Sequence, residues 1–113
     1  MVSHFAISQQ QVDSTDFYKK TLLDPEQGTN IAAAFDFYER GYLADLKNQD
    51  TIAAANKLRI ISIGQSKMGA THDSEATTIK ALELLDGLPT NPNTLSVKTG
   101  VYIDWGKVYR TLQ

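Results

Sequence analysis

Apolar residues recur at helical spacing through most of this chain. The clearest stripe consists of five residues separated by four, three, four and four positions: Ile31, Phe35, Tyr38, Tyr42 and Leu46. Residues at these spacings share one face of an α-helix, so the pattern predicts a helix from about residue 31 to residue 46. Gly41 interrupts the stripe, and a glycine inside a helix often lets another backbone approach closely.

Residues that start or stop helices divide the rest of the chain. Asp13-Ser14 begins a predicted helix that Asp24-Pro25 ends, since the residue before a proline disfavours helical backbone. Asp50 is the expected N-cap of a third helix, and Asp73 or Ser74 is the expected N-cap of a fourth. The helices predicted in this way cover residues 14–23, 31–46, 51–62 and 75–85, with a glycine-containing loop over residues 64–71.

The C-terminal third of the chain gives two conflicting signals. Residues 88–93 contain two prolines and two asparagines, which predict an extended connector. β-Branched residues between positions 97 and 103 favour a strand. Four apolar residues have the i, i+3, i+4, i+7 spacing of a helical face: Trp105, Val108, Tyr109 and Leu112. We therefore expect a final helix from residue 104, while residues 95–103 stay open between strand and helix.

Together these patterns predict an all-α fold. The expected architecture is a small irregular bundle of four or five helices with an extended segment near residues 88–103. A length of 113 residues is typical of one domain, so we expect a single helical domain over residues 1–113. Leu, Ile, Val and Phe account for 28 residues, which is enough for a modest core.

The composition excludes several classes of site. The chain has no cysteine, so it cannot carry a disulfide, a thiolate zinc site, an iron–sulfur cluster or a thiol nucleophile.

The sequence has neither a long apolar run nor a recognisable secretion signal. We therefore expect no membrane span, and a location in the cytoplasm or in a particle assembled inside the cell.

Candidate catalytic patterns are incomplete. A phosphate-binding loop needs a lysine directly after its second glycine, whereas Ala70 follows Gly69 here. Ser66 and the His72-Asp73 pair include the residue types of a catalytic triad, but adjacency in sequence does not supply the geometry of one. The Glu-x-x-His pairs of a di-iron bundle are absent from the sequence. We therefore predict no enzyme activity, no catalytic residue, no cofactor and no metal site.

The charge distribution separates an acidic part of the chain from a basic part. Residues 1–50 carry a net charge of −4, and residues 51–113 carry a net charge of +2. Six basic residues of the second part could bind a phosphate backbone if they converge on one face: Lys57, Arg59, Lys67, Lys98, Lys107 and Arg110. Nucleic-acid binding through these residues is our second hypothesis, and scattered charges would contradict it.

Part of the C-terminal third resembles the second half of a helix-turn-helix. The segment 95–101 includes Thr-Gly-Val, which is similar to the turn of that motif, and the segment 108–112 includes Val-Tyr-Arg, as in a recognition helix. The spacing between the two is about two residues too long for the motif, and Gly106 interrupts the second part. The resemblance implies that Lys107 and Arg110 face a DNA groove or its phosphates.

The distribution of aromatic residues indicates a different function. Phe37 lies off the main stripe of its helix, while Trp105 and Tyr109 lie near the end of the chain, where a small bundle has little depth to bury them. Exposed aromatic residues are typical anchors of protein interfaces. Our first hypothesis is therefore a non-catalytic helical subunit of a larger complex. These three residues would pack on protein partners or on copies of the same chain.

Overall fold

The computed structural model describes residues 15–26, 28 and 30–112, apart from the side chains of residues 105 and 107–112. This part of the chain forms five helices and contains no strand. They are α1 (residues 15–23), α2 (Ile31–Lys47), α3 (Thr51–Lys67), α4 (Thr71–Asp86) and α5 (Pro92–Leu112). The predicted all-α bundle is confirmed, and α1 and α2 agree with their predicted ranges to within one residue at each end.

α3 is the central helix, since it packs against α2, α4 and α5. Asp50 is its N-cap as predicted, because the Asp50 carboxylate accepts a hydrogen bond from the backbone N–H of Ala53 at 3.3 Å. Four of its buried residues are small: Ala54, Ala55, Ser62 and Gly64. The distance between packed helices depends on the side chains at their contact, so these residues allow three neighbours to approach.

The predicted end of this helix at Ser62 and the predicted loop over residues 64–71 are wrong. α3 continues to Lys67, and only residues 68–70 connect it to α4, with Gly69 in the left-handed region at φ 84°. Gly64 is buried inside the helix, where an added Cβ would lie 3.1 Å from Phe35 and 3.2 Å from Leu22. Gly64 is therefore a packing residue and does not break the helix.

A buried hydroxyl network joins α3 to α4. Ser62, Ser74 and Thr78 are each at most 2% exposed. The Ser74 hydroxyl donates to the Ser62 carbonyl at 2.7 Å, and Thr78 Oγ1 donates to the Ser74 carbonyl at 2.9 Å. Ser62 Oγ lies 2.6 Å from Thr78 Oγ1. The predicted N-cap of the fourth helix at Asp73 or Ser74 is wrong, because α4 begins at Thr71 and Ser74 bonds across to α3.

The predicted extended segment near residues 88–103 is wrong beyond residue 91. α5 begins at Pro92 because the Asn91 side chain accepts hydrogen bonds from the backbone N–H groups of Asn93 and Thr94, both at 3.0 Å. An asparagine N-cap followed by proline at the first helical position is a strong helix start. The prolines and asparagines that predicted a connector thus begin a helix, and residues 95–103 are helical.

This continuous helix contradicts the resemblance to a helix-turn-helix. Residues 99–101 would form the turn of that motif, but they lie inside α5. Val101 is 1% exposed and joins the core. The core draws on all five helices and consists of Leu22, Ala34, Tyr38, Ala55, Leu58, Ile61, Ala81, Leu85 and Val101.

Candidate protein interface

The outer side of α5 carries three large apolar side chains that the fold leaves exposed. Leu95, Tyr102 and Ile103 are exposed by 54%, 48% and 56%. Together with Thr99 they lie at helical spacing on one side of α5, while Val101 on the opposite side enters the core. We refer to Leu95, Thr99, Tyr102 and Ile103 as the α5 face.

The α5 face is uncharged, unlike the exposed surfaces of α2 and α4. The exposed positions of α5 up to residue 104 are occupied by Pro, Asn, Leu, Ser, Thr, Tyr and Ile. The exposed charged residues are Asp36, Glu39, Arg40 and Lys47 on α2, and Asp73, Lys80, Glu83 and Asp86 on α4. Charged residues normally separate the apolar side chains of a protein surface. A continuous uncharged face with three large apolar side chains is instead typical of an interaction surface.

A groove of about 230 Å³ borders the α5 face. It is lined by Leu85, Leu88, Thr90, Thr94, Leu95, Lys98, Thr99 and Tyr102. Lys98 forms an ion pair with Asp86 of α4, and the hydrogen bond to this carboxylate raises the pKa of Lys98. The charge of the lining lysine is therefore compensated within the chain, and the remaining lining residues are apolar or neutral.

Arg59 attaches the middle of α5 to α3. Its Nε donates a hydrogen bond to Asp104 Oδ2 at 2.5 Å, and the Asp104 side chain is 12% exposed. The guanidinium crosses α5 at Gly100, where an added Cβ would lie 2.9 Å from the Arg59 Cζ. Because the buried Val101 and this ion pair hold the inner side of α5, the rotation of the helix about its axis is fixed and the α5 face points outward.

Three of the six predicted nucleic-acid-binding residues are paired with carboxylates. The ion pairs are Lys57–Asp45, Arg59–Asp104 and Lys98–Asp86, which join α3 to α2, α3 to α5 and α5 to α4. Lys57 and Arg59 also line one groove of about 470 Å³ beside α1, so the structure brings these two together. Lys67 is exposed at the end of α3. The side chains of Lys107 and Arg110 lie outside the described residues.

Among the three predicted interface residues, only Phe37 has a described side chain. Its ring centroid lies 5.0 Å from that of Tyr18 and 5.6 Å from that of Tyr38, and the side chain packs against the core. Phe37 is partly buried by contacts within the chain, and its role at an interface stays a prediction. Trp105 and Tyr109 belong to α5, but their side chains lie outside the described residues.

The sequence did not predict the α5 face, because residues 88–103 favoured an extended segment and residues 95–103 stayed open between strand and helix. The signal was present, since Leu95 and Tyr102 are two helical turns apart and Ile103 lies beside Tyr102. A helix that starts at Asn91-Pro92 includes the residues before Trp105, so the α5 face and Trp105 belong to the same helix.

The residues considered for catalysis lie on two consecutive helices. His72 is exposed in the first turn of α4, and Ser66 lies near the end of α3. Among the residues that the structure describes, no three His, Asp or Glu side chains are grouped so that they could hold a metal ion. In the same part of the chain, no helix has the length and apolar character needed to cross a membrane.

Comparisons of this chain with protein-family models, with curated proteins and with solved structures give no match. Its function therefore has to be argued from the geometry and chemistry of its own surface. The α5 face is the feature of that surface that the following proposal uses.

Proposed function

We propose that this chain is a non-catalytic helical subunit of a larger protein assembly, which packs on a protein partner through the α5 face. The observation that carries the proposal is the uncharged surface with three exposed apolar side chains, Leu95, Tyr102 and Ile103. Burying the exposed half of each side chain would contribute about 1 kcal/mol, since full burial of a large apolar side chain is worth about 1.5–3 kcal/mol.

The polar groups of the α5 face are compatible with burial. Thr99 Oγ1 donates a hydrogen bond to the Leu95 carbonyl at 2.8 Å, so this hydroxyl brings no unsatisfied donor into an interface. The Lys98–Asp86 ion pair lies at the edge, where protein interfaces usually have a polar rim. A charged group of the partner would lose its hydration on this face without an opposite charge to replace it. The expected partner surface is therefore uncharged and apolar.

The α5 face is held in place before any partner binds. α5 packs against both α3 and α4, and the Arg59–Asp104 ion pair joins it to the central helix. Binding to a surface that is already ordered avoids the entropy cost of fixing a mobile segment. This arrangement supports a role as a preformed docking surface.

Nucleic-acid binding receives less support from the same contacts. Lys57, Arg59 and Lys98 each have a carboxylate partner within the chain. A phosphate would have to displace that carboxylate to form a contact, and the gain in charge compensation would be small.

Photo-crosslinking in the source cells tests the proposed function. In one variant p-benzoylphenylalanine replaces Tyr102, and in the control it replaces Leu43, which is 60% exposed on α2 among charged residues. We expect a covalent adduct with a protein from position 102 and none from position 43. An adduct from neither position would overturn the proposal. An adduct with nucleic acid at position 102 would also overturn it and would favour the second hypothesis.

A further inference from the structure

We infer that the occupant of the α5 face is a second copy of this chain, with the two α5 helices antiparallel across a two-fold axis near Thr99. The inference rests on the proposed function, since it names the partner for the same surface. In a two-fold contact the same patch is used by both copies, so the patch has to be complementary to itself.

The absence of charge on the α5 face makes it compatible with its own copy. In an antiparallel pair, a charged residue near the axis would lie close to its own copy and would be repelled. The exposed positions of α5 from residue 92 to residue 104 contain no charged residue, whereas the exposed positions of α2 and α4 contain several. Between residues 92 and 104, α5 therefore presents a side that can meet its own copy without repulsion, which the exposed sides of α2 and α4 cannot do.

The order of residues along α5 also suits an antiparallel pair. Residues equally distant from Thr99 in the two copies lie opposite each other across the axis. Leu95 of one copy then meets Ile103 of the other, and both residues are apolar and more than half exposed. Tyr102 meets Ser96, so a large ring lies against a small side chain. The register thus pairs apolar with apolar residues and large with small residues along the whole face.

Gly106 extends this complementarity by one further turn. Within the part of the chain that the structure describes, an added Cβ on Gly106 would meet no atom within 4 Å. In the same register Gly106 lies opposite Pro92, whose ring can occupy this space. The groove between α5 and Leu88 lies beside the face and can receive side chains from the other copy.

The size of the contact predicts a weak dimer. α5 has 21 residues, which corresponds to a helix about 31 Å long at about 1.5 Å per residue. A stable interface buries about 800 Å² on each partner, and one helix with a flanking groove reaches only the lower end of the known range. We therefore expect micromolar dissociation and a mass that depends on concentration.

Light scattering after size-exclusion chromatography tests the inference on the whole chain. The mass should rise from 12.5 kDa toward twice that value as the concentration increases. Ile103→Asp should weaken the dimer at least about 100-fold, because it buries a charge against the apolar Leu95 of the other copy. Ile79→Asp is the matched control on α4, since Ile79 is 41% exposed there, and it should leave the dissociation constant unchanged.

A crosslinking experiment tests the position of the axis. The chain has no cysteine, so Thr99→Cys introduces the only thiol. Two copies of residue 99 at the axis would be close enough for a disulfide, which needs a Cα–Cα distance below about 7 Å. We expect Thr99→Cys to form a covalent dimer under mild oxidation much faster than the control Ala76→Cys, whose residue is exposed on α4.

The outcomes separate this inference from the proposed function. A monomer at all concentrations, with no preferential disulfide at residue 99, would overturn the second copy as the occupant. If Tyr102 photo-crosslinks to a different protein in that case, the proposed function still stands, and if it crosslinks to nothing, both fail. A mass that grows beyond two copies with concentration would overturn the closed two-fold contact.

Discussion

Arg59 of α3 donates a hydrogen bond from its Nε to Oδ2 of Asp104 in α5 at 2.5 Å. The two side chains are exposed to different extents, 37% for Arg59 and 12% for Asp104. Removing the arginine therefore leaves the less exposed charge without its partner. We expect Arg59→Met to lower the free energy of unfolding by about 2 kcal/mol and Asp104→Asn to lower it by about 1 kcal/mol.

Urea denaturation followed by circular dichroism measures this difference. The control is Arg40→Met, because the Arg40–Asp36 pair is exposed by 80% and 57% on the surface of α2. Its loss should change the free energy of unfolding by less than about 0.5 kcal/mol. Equal losses for Arg59→Met and Arg40→Met would contradict a structural role for the α3–α5 ion pair.

The hydroxyl network between α3 and α4 predicts a different cost for two serines of the same helix. Ser62 is 2% exposed and bonds to α4, whereas Ser66 is partly exposed near the end of α3. Ser62→Ala should destabilise the fold by about 1 kcal/mol, since one buried hydrogen bond is lost. Ser66→Ala should be neutral or stabilising by a few tenths of a kcal/mol, because alanine favours helix. Thermal unfolding of both variants gives the comparison, and a neutral Ser62→Ala would contradict the contribution of the network.

The start of α5 predicts a third measurable difference. Asn91 accepts two backbone hydrogen bonds as the N-cap, whereas the neighbouring Asn93 side chain is exposed. Asn91→Ala should cost about 1 kcal/mol, and Asn93→Ala should cost little. Hydrogen exchange should locate the effect, with faster exchange of the amides of residues 93–95 in the Asn91 variant. Unchanged exchange there would show that another group starts the helix.

The buried Tyr38 predicts a loss of stability at alkaline pH. Burial raises the pKa of Tyr38 above its ordinary value of 10.0, and the nearby Asp16 carboxylate raises it further. The fold thus favours the neutral phenol. Tyr38 ionises at a lower pH in the unfolded chain than in the folded one. The stability that the neutral, buried Tyr38 contributes is therefore present below about pH 10 and is lost as the pH rises through the raised pKa.

A Tyr38→Phe variant isolates this effect. The substitution removes only the hydroxyl and keeps the buried ring, so the variant should stay within about 1 kcal/mol of the parent at neutral pH. Above about pH 10 the parent should lose more free energy of unfolding than Tyr38→Phe, because only the parent has the buried phenol. Identical slopes for the parent and Tyr38→Phe would contradict the prediction.

The fold was predictable wherever one face of a helix is apolar over several turns. The stripe from Ile31 to Leu46 gave the range of α2 almost to the residue, and Asp50 marked the start of α3.

Glycine was misleading because its effect depends on packing. Gly64 looks like a loop residue in the sequence, but in the fold it occupies a place where Leu22 and Phe35 leave little room for a side chain.

The candidate interface was harder to predict, because the exposure of a residue depends on the rotation of its helix. The sequence selected Phe37 by its aromatic character, but α1 supplies Tyr18 to cover it. It overlooked Leu95 and Ile103, whose exposure follows from the way Arg59 and Val101 hold the opposite side of α5. Contacts between distant segments decide this rotation, and periodicity alone does not give it.

The small buried residues of α3 limit how this sequence can change. Ala54, Ala55, Ser62 and Gly64 lie where the central helix meets its neighbours, so a larger residue there would push whole helices apart. Exposed alanines of α2, such as Ala32 and Ala33, have no such restriction. In a library of variants, side-chain growth would be tolerated least along α3, although most of the large apolar residues lie elsewhere. The small buried residues of α3 therefore restrict substitution in this protein more than its large apolar residues do.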